Sequence, residues 1–165
     1  MKVPTHLSIL FFLFVLSTQF VVHAAQPSNT ATTIFSILSY VKLETHTPLV
    51  CTINKISLYN QLLTNKDSQN KYIIKNINIS DIKNNNCNVI IFSTLSPKEE
   101  KSILNSYVTF PALSISTNNI NCEEGSAICL YNKGIQVSFK INLESVNQSK
   151  VFIDPRILLL AKESE

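Results

Sequence analysis

Four cysteines, Cys51, Cys87, Cys122 and Cys129, follow an opening that reads as an export leader, and this pairing constrains the fold more than any other feature. Met1-Lys2 is a short basic start, residues 9–16 are an unbroken apolar run, and Val22-His23-Ala24 presents small residues where signal peptidase reads. The apolar run is too short for a membrane span, which needs about 20 residues, and Ser17-Thr18-Gln19 interrupts it. Residues 1–24 therefore read as a signal peptide cleaved after Ala24, with no cysteine there to carry a lipid. A leader plus an even cysteine count points to an oxidising compartment, the periplasm in a bacterium, and to two disulfides. Zinc is the competing use, but the intervals of 36, 35 and 7 residues contain no close ligand pair of the Cys-x2-Cys kind. Four cysteines allow three connectivities, and counting does not choose among them.

Removing 24 of 165 residues leaves 141, the size of one domain with its own core, so residues 25–165 are expected to form a single unit. Lys2 is the only charge lost, and the formal net charge falls from +3 to +2. No basic stripe or aromatic-basic interleaving supports nucleic-acid binding. The chain has two glycines, too few for a dinucleotide fingerprint or a phosphate-cradling loop. His46 is the one histidine after the leader and lies between threonines in a loop-like stretch. Glu99-Glu100 suits the first turn of a helix, where negative charge is favoured. Glu123-Glu124 reads as a solvated pair inside a short cysteine loop. No catalytic residue, cofactor or metal is expected, and the chain does not read as an enzyme.

Residues 32–41 carry Ile34, Ile37, Leu38 and Val41 at helical spacing, a stripe for the core. Residues 48–53 read as a buried strand, followed by a helix capped by Asn54 with Tyr59, Leu62 and Leu63 inward. Residues 72–79 and 87–93 are two further strands, the second apolar enough to be covered on both faces. Ser96-Pro97-Lys98-Glu99 is a capping box with proline where its missing donor costs nothing, and Ile103, Leu104 and Tyr107 give that helix a buried side. Residues 111–116 form another strand. Strands alternating with helices and closed by a hairpin predict an α/β fold, a mixed sheet flanked by helices that ends in an antiparallel hairpin and a C-terminal helix.

The end of the chain is the most patterned part. A reversal at Gly125-Ser126 lies between Cys122 and Cys129, and a strand over 127–131 follows. Asn132-Lys133-Gly134 reads as a three-residue hairpin loop with glycine at the left-handed position. On the return strand Ile135, Val137, Phe139 and Ile141 alternate with Gln136, Ser138, Lys140 and Asn142. Asp154-Pro155 then starts a helix whose apolar face covers 157–161. Cys-x6-Cys, the hairpin, Phe139-Lys-Ile-Asn-Leu143 and the Asp154-Pro-Arg-Ile-Leu-Leu-Leu-Ala161 run together resemble the C-terminal half of the YfiR family. The resemblance extends back through Cys87-Asn-Val-Ile-Ile-Phe-Ser93 and Leu49-Val-Cys51. A Trp-Pro pair common in the family's first segment is absent, with Lys42-Leu43 nearby and no Trp in the chain.

The resemblance implies a small periplasmic α/β sandwich that binds and inhibits an inner-membrane diguanylate cyclase, lowering cyclic di-GMP and biofilm formation. It implies relief by an outer-membrane OmpA-like lipoprotein, a homodimeric state, and dependence of inhibition on correct disulfides. The reversal at Gly125-Ser126 brings Cys122 towards Cys129 and leaves Cys51 for Cys87, a pairing with which the family pattern agrees. The short cysteine loop, polar and Glu-bearing, reads as the more exposed of the two, and exposed disulfides are the more readily attacked by thiolates. The alternative to a cyclase inhibitor is a secreted small-ligand-binding module serving another sensor or transporter.

Overall fold

In the computed structural model, which describes residues 29–163, α1 (Thr30–Leu38) leads into β1 (Val41–Lys42), β2 (Leu49–Ile53), α2 (Ile56–Thr64) and β3 (Ile73–Ile77). Next come α3 (Ile82–Asn85), β4 (Val89–Phe92), α4 (Pro97–Tyr107), β5 (Leu113–Ser116) and β6 (Ile128–Lys133). The chain finishes with β7 (Gln136–Ile141), α5 (Leu143–Ser149), β8 (Phe152–Ile153) and α6 (Ile157–Glu163). The expected leader over residues 1–24 lies outside the described residues.

The main sheet has strand order β3-β2-β4-β5-β6-β7, parallel from β3 to β6 and closed by antiparallel β7. β1 and β8 form a separate antiparallel pair. This is the expected mixed sheet flanked by helices, with the hairpin and C-terminal helix at its end. All four residues of β4 are buried, as a continuous apolar run at the centre of a sheet covered on both faces requires. Its side chains alternate between two cores. Val89 and Ile91 join Ile34, Leu38, Leu62 and Ile157 on one face, whereas Ile90 and Phe92 join Ile82, Ile103 and the Cys51 and Cys87 sulfurs on the other.

Three local expectations change. Asn54 does not cap α2: it takes a left-handed turn at φ 50°, and Lys55 occupies the cap position without a side-chain bond. The helix therefore presents Leu58 and Leu62, four residues apart, to the core. Tyr59 is half-buried and Leu63 faces outward, 44 % exposed. In the hairpin, Asn132 and Lys133 pair with Val137 and Gln136, so the loop is the two residues Gly134-Ile135 and not three. Gly134, at φ 62°, takes the first turn position, where a side chain is disfavoured. Ile135 is consequently at the tip and 78 % exposed, which removes it from the inward row. Finally, Val41 is in β1 and not on the first helix.

Candidate functional site

The candidate site is the segment between β5 and β6 together with the groove beside it. The structure pairs Cys51 with Cys87 and Cys122 with Cys129, with Cα–Cα distances of 5.9 and 5.6 Å. The first bond lies where adjacent parallel strands β2 and β4 bring two segments together, deep in the second core. The second closes a loop of seven-residue separation at the entry to β6.

That short loop is not the exposed element its composition suggested. Cys129 is fully buried, Cys122 is 6 % exposed, and Ser126 and Gly125 are buried with them. The cause is Glu100, which the sequence placed with Glu99 in the first turn of a helix, where negative charge is favoured. Ser96 and Glu99 do form the capping box, with the Glu99 carboxylate accepting from the Ser96 amide at 2.8 Å. Glu100, one position on, points the other way into the protein and has no exposed surface.

Its carboxyl is held from three sides. The Ser116 hydroxyl donates to Oε1 at 2.5 Å, while the Ser126 amide and hydroxyl donate to Oε2 at 3.1 and 2.8 Å. Ser116 Oγ in turn accepts from the Asn118 and Asn119 amides, so its own proton is directed at the carboxyl. Asn119 threads the loop, accepting from the Cys122 amide at 3.0 Å and donating to the Glu124 carbonyl at 2.7 Å. Burial pushes the Glu100 pKa up, and the Ser116, Ser126 and Asn119 hydrogen bonds hold that rise back.

Gly125 completes the seat. At φ 89°, a Cβ built on it would lie 2.8 Å from both Glu100 Oε2 and the Pro97 carbonyl. Only glycine allows this approach. From the other side the Ser145 hydroxyl donates to the Gly125 carbonyl at 2.9 Å. Lys101 reaches Glu124 at 3.9 Å on the surface, a contact of the kind worth about 0–1 kcal/mol.

Beside this loop runs an open apolar groove of about 610 Å³. Asn121 and Cys122 contribute one side, Lys140 and Ile141 of β7 with Leu143 of α5 the next, and Pro155, Leu158 and Leu159 the third. Leu143 and Leu159 are 59 % and 62 % exposed, and Ile120 nearby on the loop is 64 % exposed. Such a cluster of exposed large apolar side chains marks an interaction surface more often than single scattered ones do. The C-terminal helix was expected to lay residues 157–161 on the sheet. Ile157 does so, but Leu158 and Leu159 line the groove. Asp154, pinned by Arg156 at 2.6 Å and held at a pKa of about 2 mainly by that side-chain hydrogen bond, fixes the turn into α6.

The remaining candidates are scattered. His46 is exposed in the loop between β1 and β2, and Glu123 is exposed beside the short disulfide. Among the described residues no three His, Cys, Asp or Glu side chains gather as a metal site. The arrangement offers a shaped surface beside a rigid loop. The sequence model of the family described as YfiR/HmsC-like matches residues 28–162.

Proposed function

The chain belongs to the YfiR/HmsC-like family, and from that premise we propose that it restrains an inner-membrane diguanylate cyclase by binding the part of it that faces the periplasm. Membership itself makes the chain a regulator in cyclic di-GMP signalling, of a family that is regulatory and not catalytic. The two disulfides fit the oxidising compartment in which the family works.

The observation that carries the proposal is the family match over residues 28–162. The groove formed by Leu143, Leu158, Leu159 and the Cys122 side of the short loop is the surface proposed for the cyclase. An OmpA-like lipoprotein would relieve inhibition by competing for the chain, and loss of the short disulfide would do so by reshaping one wall. Residues 1–24 serve as the leader in this reading, residues 25–165 act as one domain, and the active form is a homodimer.

Capture from solubilised membranes tests this. The exported protein, tagged at its C-terminus, is expected to retain a transmembrane diguanylate cyclase, and Leu159→Asp is expected to release it. Failure of the wild-type protein to retain any cyclase from a strain that expresses one contradicts the proposal.

A second reading, a small-ligand-binding module, has one observation in its favour. A cleft of about 200 Å³ lined by Lys55, Ser57, Ser93 and Thr117 opens at the carboxyl ends of β2, β4 and β5. The strand order reverses there, and open α/β sheets bind ligands at such points.

A further inference from the structure

We infer that Glu100 gates the chemical opening of the Cys122–Cys129 disulfide, so that the redox response of the short loop is set by a buried carboxyl on α4 and not by exposure of the sulfurs. The inference rests on the proposed regulatory function for its meaning in the cell, and its chemistry stands apart from that function.

A thiolate opens a disulfide by attacking one sulfur in line with the bond, and therefore needs room behind that sulfur. Cys129 has no exposed surface and Cys122 is 6 % exposed. Cys122 meets the groove with only this small fraction of its surface, too little for an in-line approach to its sulfur, so attack waits for the loop to leave its seat. Reduction by a dithiol then proceeds in two displacements. Its thiolate bonds to Cys122 Sγ, the less buried sulfur, and the S–S bond breaks to release Cys129 as a thiolate that takes up a proton. The reductant's second thiol then displaces the Cys122 thiolate, which is protonated in turn. Two electrons pass to the protein and the reductant leaves as a cyclic disulfide.

Asn119 and Ser145 tie the loop at Cys122, Glu124 and Gly125, and Glu100 holds its buried turn at Ser126. Lifting Ser126 breaks both of its bonds to Glu100 Oε2, at 3.1 and 2.8 Å, and strands a buried carboxyl with only the Ser116 hydroxyl still donating to it. The Gly125 backbone runs so close over the same oxygen that a side chain there would collide with it. Ser116, on β5, fixes the other oxygen and keeps the carboxyl aimed at the loop. The surface Lys101–Glu124 contact is too exposed to hold the loop by itself. When opening precedes a slower chemical step, the observed rate scales with the local opening equilibrium. Weakening the Glu100 seat therefore speeds reduction without any change at the sulfurs. Cys51–Cys87 lies in the core between β2 and β4 and does not touch this seat, which makes it an internal reference.

The test follows both disulfides in the same molecules. Purified oxidised protein is treated with dithiothreitol at fixed pH, quenched with an alkylating agent, and each cysteine pair is quantified by peptide mass. Glu100→Gln puts an amide where donors already point and is expected to open Cys122–Cys129 about tenfold faster. Ser126→Ala keeps the amide bond but loses the hydroxyl and is expected to give a smaller acceleration, about threefold. Glu99→Gln, on the solvent side of the same turn, is expected to leave both rates unchanged. Equal rates for wild type and Glu100→Gln overturn the inference. Equal acceleration of both disulfides also overturns it, because the carboxyl would then hold the whole domain and not the loop. Should Glu100→Gln fail to fold, Ser126→Ala decides: selective acceleration supports the gate and an unchanged rate rejects it. No cyclase enters the assay, so this result is independent of whether the chain binds one.

Discussion

Glu100 on α4 and Ser126 in the short disulfide loop, 26 residues apart, share two hydrogen bonds to a single carboxylate oxygen, at 3.1 and 2.8 Å. The contact ties the second core to the edge of the groove proposed for the partner. It also separates two glutamates adjacent in sequence. Glu99 is exposed and closes a capping box, whereas Glu100 has no exposed surface.

The two therefore differ in what their removal does. Glu99→Ala removes the exposed N3 half of the capping box and is expected to be the milder of the two. Glu100→Ala leaves the Ser126 amide and two hydroxyls without their acceptor in a dry site, at about 1–3 kcal/mol for a stranded group, and is expected to cost about 3 kcal/mol in total. Urea unfolding of the two variants checks the order.

The glycines divide in the same way. Gly134, at φ 62°, has open space around it, so Gly134→Ala carries only backbone strain, about 1 kcal/mol. Gly125, at φ 89°, adds contacts at 2.8 Å with Glu100 and the Pro97 backbone, so Gly125→Ala is expected to destabilise by about 3 kcal/mol. Equal unfolding midpoints for the two variants would show that the loop is not seated as described.

In the chain-entropy description the Cys51–Cys87 bond contributes about 3.8 kcal/mol and the Cys122–Cys129 bond about 2.5 kcal/mol. Replacing Cys51 and Cys87 together by Ser is expected to lower the Tm more than replacing Cys122 and Cys129. The short-loop variant is nevertheless expected to lose at least as much inhibition, because Cys122 lines the groove. Melting curves beside cyclic di-GMP levels separate the two effects.

The capping box at Ser96, the doubly buried run of β4 and the overall α/β order were legible because each depends on neighbours in sequence or on simple periodicity. The short loop was not. Its polarity suggested exposure, yet Asn119, Ser126 and Glu100 are buried, with Ser116 linking Asn119 to the Glu100 carboxyl that holds Ser126, and such bonds between distant segments leave no periodic trace. The helix after β2 was misread by one position because the left-handed turn at Asn54 shifts its start. The β1–β8 pair and α5 were missed, being two and seven residues long.

Glu100 also gives a pH signature. Its folded-state pKa is raised, chiefly by burial, so the folded protein holds that proton more tightly than the unfolded chain. Stability from this group is full below the ordinary glutamate value and is lost as pH rises through the raised one. The Tm advantage of wild type over Glu100→Gln is therefore expected to be larger at about pH 4.5 than at about pH 8. A gap that widens with rising pH contradicts the assignment.

Restraint of a diguanylate cyclase, as proposed for this chain, is read most directly in cellular cyclic di-GMP. It is read in a strain that carries the cognate membrane cyclase, with the gene for this chain present, deleted and restored. Deletion is predicted to raise cyclic di-GMP and favour biofilm over motility, and restoration to lower it again. A level that stays the same or falls on deletion would rule out that restraint.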